Sequence, residues 1–139
     1  MVGWSEALSV GHRGVDEQHR DLINRVNALN DAVGTASDGD AEAVARIAAM
    51  AAEFFAAFKT HAAYEELAMH QFFYGNVERH AEHHTLHMDV IATLLLAEPV
   101  VEVVRLNLPF INSTVFDHID RDDRDFGAHL KAMGLFGRV

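Results

Sequence analysis

Residues 61–84 read HAAYEELAMHQFFYGNVERHAEHH, with His61 and Glu65 four apart and, after a turn, His80 and His84 four apart. Residues four apart share a helix face. An imidazole and a carboxylate, or two imidazoles, at that spacing present their heteroatoms side by side, as two ligands of one metal ion require. The segment therefore reads as a helical hairpin carrying ligands on its inner faces. Either pair alone is weak evidence, because such spacings occur by chance on solvated helices. Two pairs across one turn are a stronger signal, and the test is whether other helices supply further ligands.

Working outward, Val15, His19, Leu22, Val26, Leu29 and Val33 alternate steps of four and three, the signature of an amphipathic helix. Asp16 is read as its N-cap and Gly34 as its stop. Residues 1–14 show no sustained period and read as an extended arm anchored by Trp4. The loop TASDGD, residues 35–40, ends in an aspartate placed to cap a long second helix, whose stripe of Ile47, Ala51, Phe54 and Phe58 runs into His61 and Glu65. Gln71 to Gly75 breaks the pattern, with Gly75 as the expected hinge. A third helix then carries Val77, His80, His84, His87, Ile91 and Leu95 on one face. Pro99 suits the first turn of a fourth helix, and Pro109 is expected to kink or restart it. Beyond Pro109 the stripe is Ile111, Thr114, Val115 and His118, and residues 126–133 read as a short terminal helix. Four helices joined by short loops predict an all-α, antiparallel up-down four-helix bundle in a single domain, 1–139.

Composition narrows the chemistry. The chain has 139 residues, half of them hydrophobic, enough for one sizeable core. Its formal charge of −10 argues against a nucleic-acid or anionic-membrane partner, which would call for a basic patch. With no cysteine there is no disulfide, thiolate site, ordinary iron–sulfur cluster or covalent c-type haem, so a metal would be held by nitrogen and oxygen. The start, MVGWSEALSV, lacks a secretory pattern, and the apolar run 90–104 is broken by Glu98, Pro99 and Glu102, which argues against membrane insertion. A cytoplasmic location is the expectation. Ten histidines is the compositional anomaly.

The inner stripes offer His19, His61, Glu65, His80, His84 and His118, with Asp120, Asp122, Asp123 and Asp125 following. A single histidine on an apolar face is more often a hydrogen-bonded core residue than a ligand. Five imidazoles and a carboxylate converging in one core would be a costly buried set, and metal coordination resolves that cost. The set is too large for one tetrahedral zinc, so two ions sharing carboxylates is the natural stoichiometry.

On these residues the sequence resembles the hemerythrin family, specifically its single-domain bacterial type. The resemblance is carried by Trp4 and Gly11 ahead of Val15-Asp16-Glu17-Gln18-His19-Arg20-Asp21-Leu22, then by His61, Glu65, Glu66 and Met69, then by Tyr74, His80 and His84, and finally by His118, Ile119 and Asp123. It implies a non-haem di-iron centre with an oxo or hydroxo bridge. His80, His84 and His118 would bind one iron and His19 and His61 the other, with Glu65 and Asp123 shared. Asp122, at i+4 from His118, is the rival on an ideal helix, and only a local widening favours Asp123. The family pattern selects Asp123.

The implied function is reversible dioxygen binding for storage, delivery or sensing, without catalysis. Dioxygen is the implied partner, and a downstream oxygen-using protein a further candidate. The alternative is a di-iron oxidase or a peroxide- or nitric-oxide-handling enzyme on the same bundle; a third reading is metal storage or a zinc site. Two ferrous ions, two carboxylates and a hydroxide leave a net charge of roughly +1, an electron-poor site suited to stopping short of oxidation chemistry. Candidates for the dioxygen pocket are Leu22, Phe54, Phe58, His87, Ile111, Thr114 and Val115. Three positions depart from the family pattern: Ala62 and His87 stand where it commonly has Phe, and Thr114 where it commonly has Trp. A roomier, more polar pocket with His87 facing it is the expectation, against a plainer alternative in which His87 tips towards solvent. Gln18 reads as a residue that orients a ligand, Glu66 as a surface residue or a second such support, His12, His70, His83 and His129 as solvated, and Met50, Met69 and Met88 as core.

Overall fold

The computed structural model describes residues 3–139. Helices α1 (Arg13–Val33), α2 (Ala41–Gln71), α3 (Val77–Leu95) and α4 (Val100–Asp117) form a four-helix bundle, followed by a π-helical turn over His118–Asp122 and α5 (Arg124–Ala132). Each of α1 to α3 packs on the next, α4 closes back on α1, and α2 meets α4 across the centre. Among the described residues no strand is present, and no helix is long and apolar enough to cross a membrane.

The expected N-terminal arm lies against the bundle, with a single 3-10 turn at Glu6–Leu8; Met1 and Val2 lie outside the described residues. Leu8 is buried, and half-buried Trp4 packs on the core beneath the Arg20 guanidinium, 4.6 Å from its ring centre. Gly11 takes a left-handed conformation (φ 76°), and a Cβ there would stand 2.3 Å from the Phe136 ring. Backbone bonds from Arg13 N to Val139 O and from Gly137 N to Gly11 O hold the C-terminal tail over the arm.

Helix ends follow local chemistry, with corrections to the sequence reading. Asp16 is not the N-cap of α1. His12 is: its Nδ1 accepts from Val15 N at 3.3 Å, and burial, opposed by the Asp16 charge, lowers its pKa, which keeps that nitrogen an acceptor. Asp16, inside the first turn, accepts instead from Ser9 Oγ and Val10 N, tying the arm to the helix. Asp40 caps α2 as expected, accepting from Glu42 N and Ala43 N. Asp38 does the same for α4 from a distance, accepting from Val101 N and Glu102 N, so Pro99 needs only to precede the first residue. Replacing Asp40 with alanine should cost about 1 kcal/mol, read as a lower denaturant midpoint at unchanged slope.

The α2–α3 reversal does not hinge on Gly75. Tyr74 N bonds Met69 O and Phe73 N bonds His70 O, a Schellman closure that places Phe73, not a glycine, in the left-handed region (φ 56°). Pro109 neither breaks nor restarts α4, which runs through it as one helix: its ring is exposed while Leu108 and Ile111 beside it are buried, so only one ladder bond is forfeited. His129 is not solvated either, because its Nε2 lies 2.6 Å from Phe72 O and pins α5 to the reversal.

From one end of the bundle to the other the buried residues change character in the same way, so the order along the chain reverses from each helix to the next. The main apolar core contains Leu22 of α1, Phe58 of α2, Ile91 of α3 and Val115 of α4. A smaller one contains Val15, Ala68, Val77 and Phe126. Between these positions in sequence stand His19 on α1, His61 and Glu65 on α2, His80 and His84 on α3, and His118 and Asp123 at the π turn that follows α4, all buried. The fold thus sandwiches one polar layer between two apolar cores.

Candidate metal centre

Five imidazoles enter this layer through their Nε2 atoms. Glu65 sits among them with its oxygens divided: Oε2 is 3.2 Å from both His19 Nε2 and His61 Nε2, while Oε1 is 2.6 Å from His80 Nε2 and 3.0 Å from His84 Nε2. Asp123 faces the same volume from the other side. Its Oδ2 lies 2.7 Å from His19 Nε2 and 3.2 Å from His118 Nε2, and its Oδ1 2.9 Å from His80 Nε2. Donors that share an ion at about 2.1 Å each stand about 3 Å apart. The spacing matches.

Asp123 reaches the layer because the chain widens locally. Asp123 N bonds His118 O, an i to i+5 bond, and the π turn over His118–Asp122 swings residue 123 onto the face of His118. Asp123 is fully buried, whereas the Asp122 side chain keeps 20% of its exposure. Two donor groups result: His19, His61, Glu65, His118 and Asp123 in one, and His80, His84, His118 and Asp123 in the other. His118 Nε2 belongs to both, 3.1 Å from His61 Nε2.

The donor chemistry fits a cation. Both oxygens of Asp123 are buried with no aligned hydrogen-bond donor, despite the nearby imidazole nitrogens. His61 Nδ1 donates to Gln18 Oε1 at 2.7 Å, and His84 Nδ1 to Glu66 Oε2 at 2.9 Å. With protons at Nδ1, the Nε2 lone pairs face inward, the arrangement that metal-binding histidines use. Gln18 and Glu66 thus fix the orientation of these two imidazoles. Without a metal, protons hold the layer together. Burial lowers the pKa of His19 and of His80, but the Asp123 and Glu65 carboxylates set against them outweigh it and raise them to about 9 and about 10. Burial raises Glu65, yet His61 and the other imidazoles hold its carboxyl well below the usual range. His118 goes the other way: burial pushes it well below 6.5, so it enters the layer neutral.

The chain matches the hemerythrin HHE cation binding domain family over residues 10–130. It belongs to that family. Neither a curated protein nor a solved structure matches it. Membership and the buried His, Glu and Asp cluster together mark this hemerythrin-family protein as a metal binder.

Around the layer of this hemerythrin-family chain, Leu22, Phe54, Phe58, Ile111 and Val115 are all buried and form part of the main core. Phe58 touches four site rings edge-on or tilted, His61, His84, His87 and His118. Thr114 stands apart from them: it is half-buried and its hydroxyl bonds Phe110 O on its own helix. Ala62 is buried. His87 points inward, its side chain 20% exposed, with Nε2 3.6 Å from Asp122 Oδ2 and its ring 5.5 Å from that of His118. His83 remains at the rim and His70 is exposed, while Met69 is buried and Met50 and Met88 pack on the core. What the sequence reading missed is the grouping of His87 and Asp122 behind His118; the four-residue step from His83 to His87 was the available signal. A larger cavity, about 760 Å³, is lined by Asp38, Leu95 and Pro99 and includes none of these groups.

Proposed function

We propose that this protein binds dioxygen reversibly at a non-haem di-iron centre with an oxo or hydroxo bridge. His80, His84 and His118 would hold one iron and His19 and His61 the other, with Glu65 and Asp123 shared between them. The observation that carries the reading is the divided Glu65 carboxylate, with Oε2 towards His19 and His61 and Oε1 towards His80 and His84. Two ferrous ions would supply the electrons for holding dioxygen. The chain supplies the rest. Its donor set has only two carboxylates, which leaves the centre electron-poor, and Gln18 and Glu66 fix two imidazoles. Buried Leu22, Phe54, Phe58, Ile111 and Val115 support a dry wall that keeps water and bulky reductants out. Nothing in this reading requires a nucleophile, and the role is carriage, storage or sensing in the cytoplasm, with delivery to an oxygen-using protein.

One observation favours a second reading, redox turnover. His87 places a partly buried imidazole beside Phe58 and His118, where it offers an N–H that a purely apolar wall would not. Metal analysis with absorption spectra of the reduced protein before and after exposure to air separates the two. Two irons per chain and a coloured adduct that disappears when oxygen is removed are expected. Rapid bleaching to the diferric form would replace carriage with turnover, and a colourless zinc protein would overturn both.

A further inference from the structure

We propose that His87, Asp122 and the outward nitrogen of His118 form a transit site for a divalent cation, from which the centre is filled. This rests on the reading of His118 as a ligand of that centre. The three side chains each offer a donor atom within 4.8 Å of the other two. Asp122 Oδ2 stands 3.6 Å from His87 Nε2 and 3.9 Å from His118 Nδ1, too far for hydrogen bonds and slightly wider than the roughly 3.4 Å between ligands of a tetrahedral ion, so the three atoms need to close by only a few tenths of an ångström to share one. His118 is completely buried, yet its Nδ1 has no partner, so an unsatisfied nitrogen is aimed at this group. Two imidazoles and a carboxylate are a common set for first-row divalent metals.

Exposure falls in steps along the group. His83, whose Nδ1 is 3.8 Å from Asp122 Oδ1, keeps 40% of its side chain exposed, His87 and Asp122 keep 20% each, and His118 keeps none. Asp122, His83 and the centre's own His80 also line one cleft of about 180 Å³. Arg79 and Arg121 on that cleft are offset by Asp122 and Asp125, and Arg121 is within 3.8 Å of Asp117. The acidic chain as a whole draws cations.

The test is stopped-flow uptake of Co²⁺ by the metal-free full chain, comparing wild type with Asp122→Asn and His87→Phe. Both variants should reach the same final two ions per chain, with initial uptake slowed on the order of tenfold through loss of a charged or coordinating group at the entry. Thermal unfolding of the metal-free variants checks that they fold, and His87→Phe decides alone if Asp122→Asn does not. Wild-type uptake rates in the folded variants overturn the transit site. A lower final stoichiometry at an unchanged rate also overturns it, since the residues would then support the centre itself. Fewer than two ions bound by wild type would instead refute the two-ion centre and the transit site with it.

Discussion

Alanine in place of Glu65 should leave the protein with no tightly bound metal, where alanine in place of His61 leaves one ion. The difference follows from which atoms face which donors. His61 serves one half of the layer, and without it His19 and the two carboxylates remain on that side while His80, His84 and His118 are intact on the other. Glu65 is within 3.2 Å of four imidazole nitrogens through two different oxygens, so its loss strips a ligand from both halves and leaves Asp123 as the only carboxylate. The metal-free protein should suffer too. His19 and His80 owe part of their raised pKa to Glu65, and breaking a buried charge pair costs on the order of 3–5 kcal/mol. Metal content per chain by elemental analysis, with a denaturant titration of the metal-free form, checks both halves. Two ions retained by Glu65→Ala, or none by His61→Ala, would reject the division of ligands.

How far the sequence reveals this arrangement depends on the range of the forces involved. The stripes that place His19, His61, His80, His84 and His118 are periodic, and periodicity survives folding because the bundle buries one face of each helix. Asp40 reads correctly as a cap for a similar reason: the contact spans only three residues. Asp123 is different. No ideal helix brings i+5 onto the face of His118, and only the π turn does so, so the family pattern supplied what the spacing could not. The misread ends share another cause. His12 displaces Asp16 as the cap because Asp16 is drawn back to Ser9 and Val10 of the arm, and Phe73 rather than Gly75 takes the left-handed position because the Schellman bonds from Met69 and His70 fix where the reversal falls. His129 is claimed by the Phe72 carbonyl across 57 residues. Contacts of that kind carry no local signature.

Stripping the metal should destabilise the protein, and the loss should grow as the pH rises from about 6 to about 9. The sign comes from His19 and His80, whose pKa values in the metal-free fold are raised above 6.5, to about 9 and about 10. Such groups stabilise the metal-free fold fully below about 6.5, the unfolded value, and that contribution is lost as the pH climbs through the folded values. Glu65 acts in the opposite sense at the acid end: held well below its ordinary value, it stabilises above that value and ceases to do so as the pH falls through its folded pKa. Metal coordination requires the imidazoles deprotonated, so each ion taken up at neutral pH displaces protons, about two per chain counting His19 and His80, and affinity strengthens with pH. The loaded protein therefore gains stability over the range in which the stripped protein loses it. With free metal at about 100 times the dissociation constant, the added stability is about 2.7 kcal/mol, a rise in Tm on the order of 10 °C. Paired melting curves of loaded and stripped protein across this range should diverge towards alkaline pH, and a weakly buffered indicator should record the released protons. Curves that stay parallel, or loading without proton release, would mean that His19 and His80 do not exchange their protons for metal and that the ligands lie elsewhere.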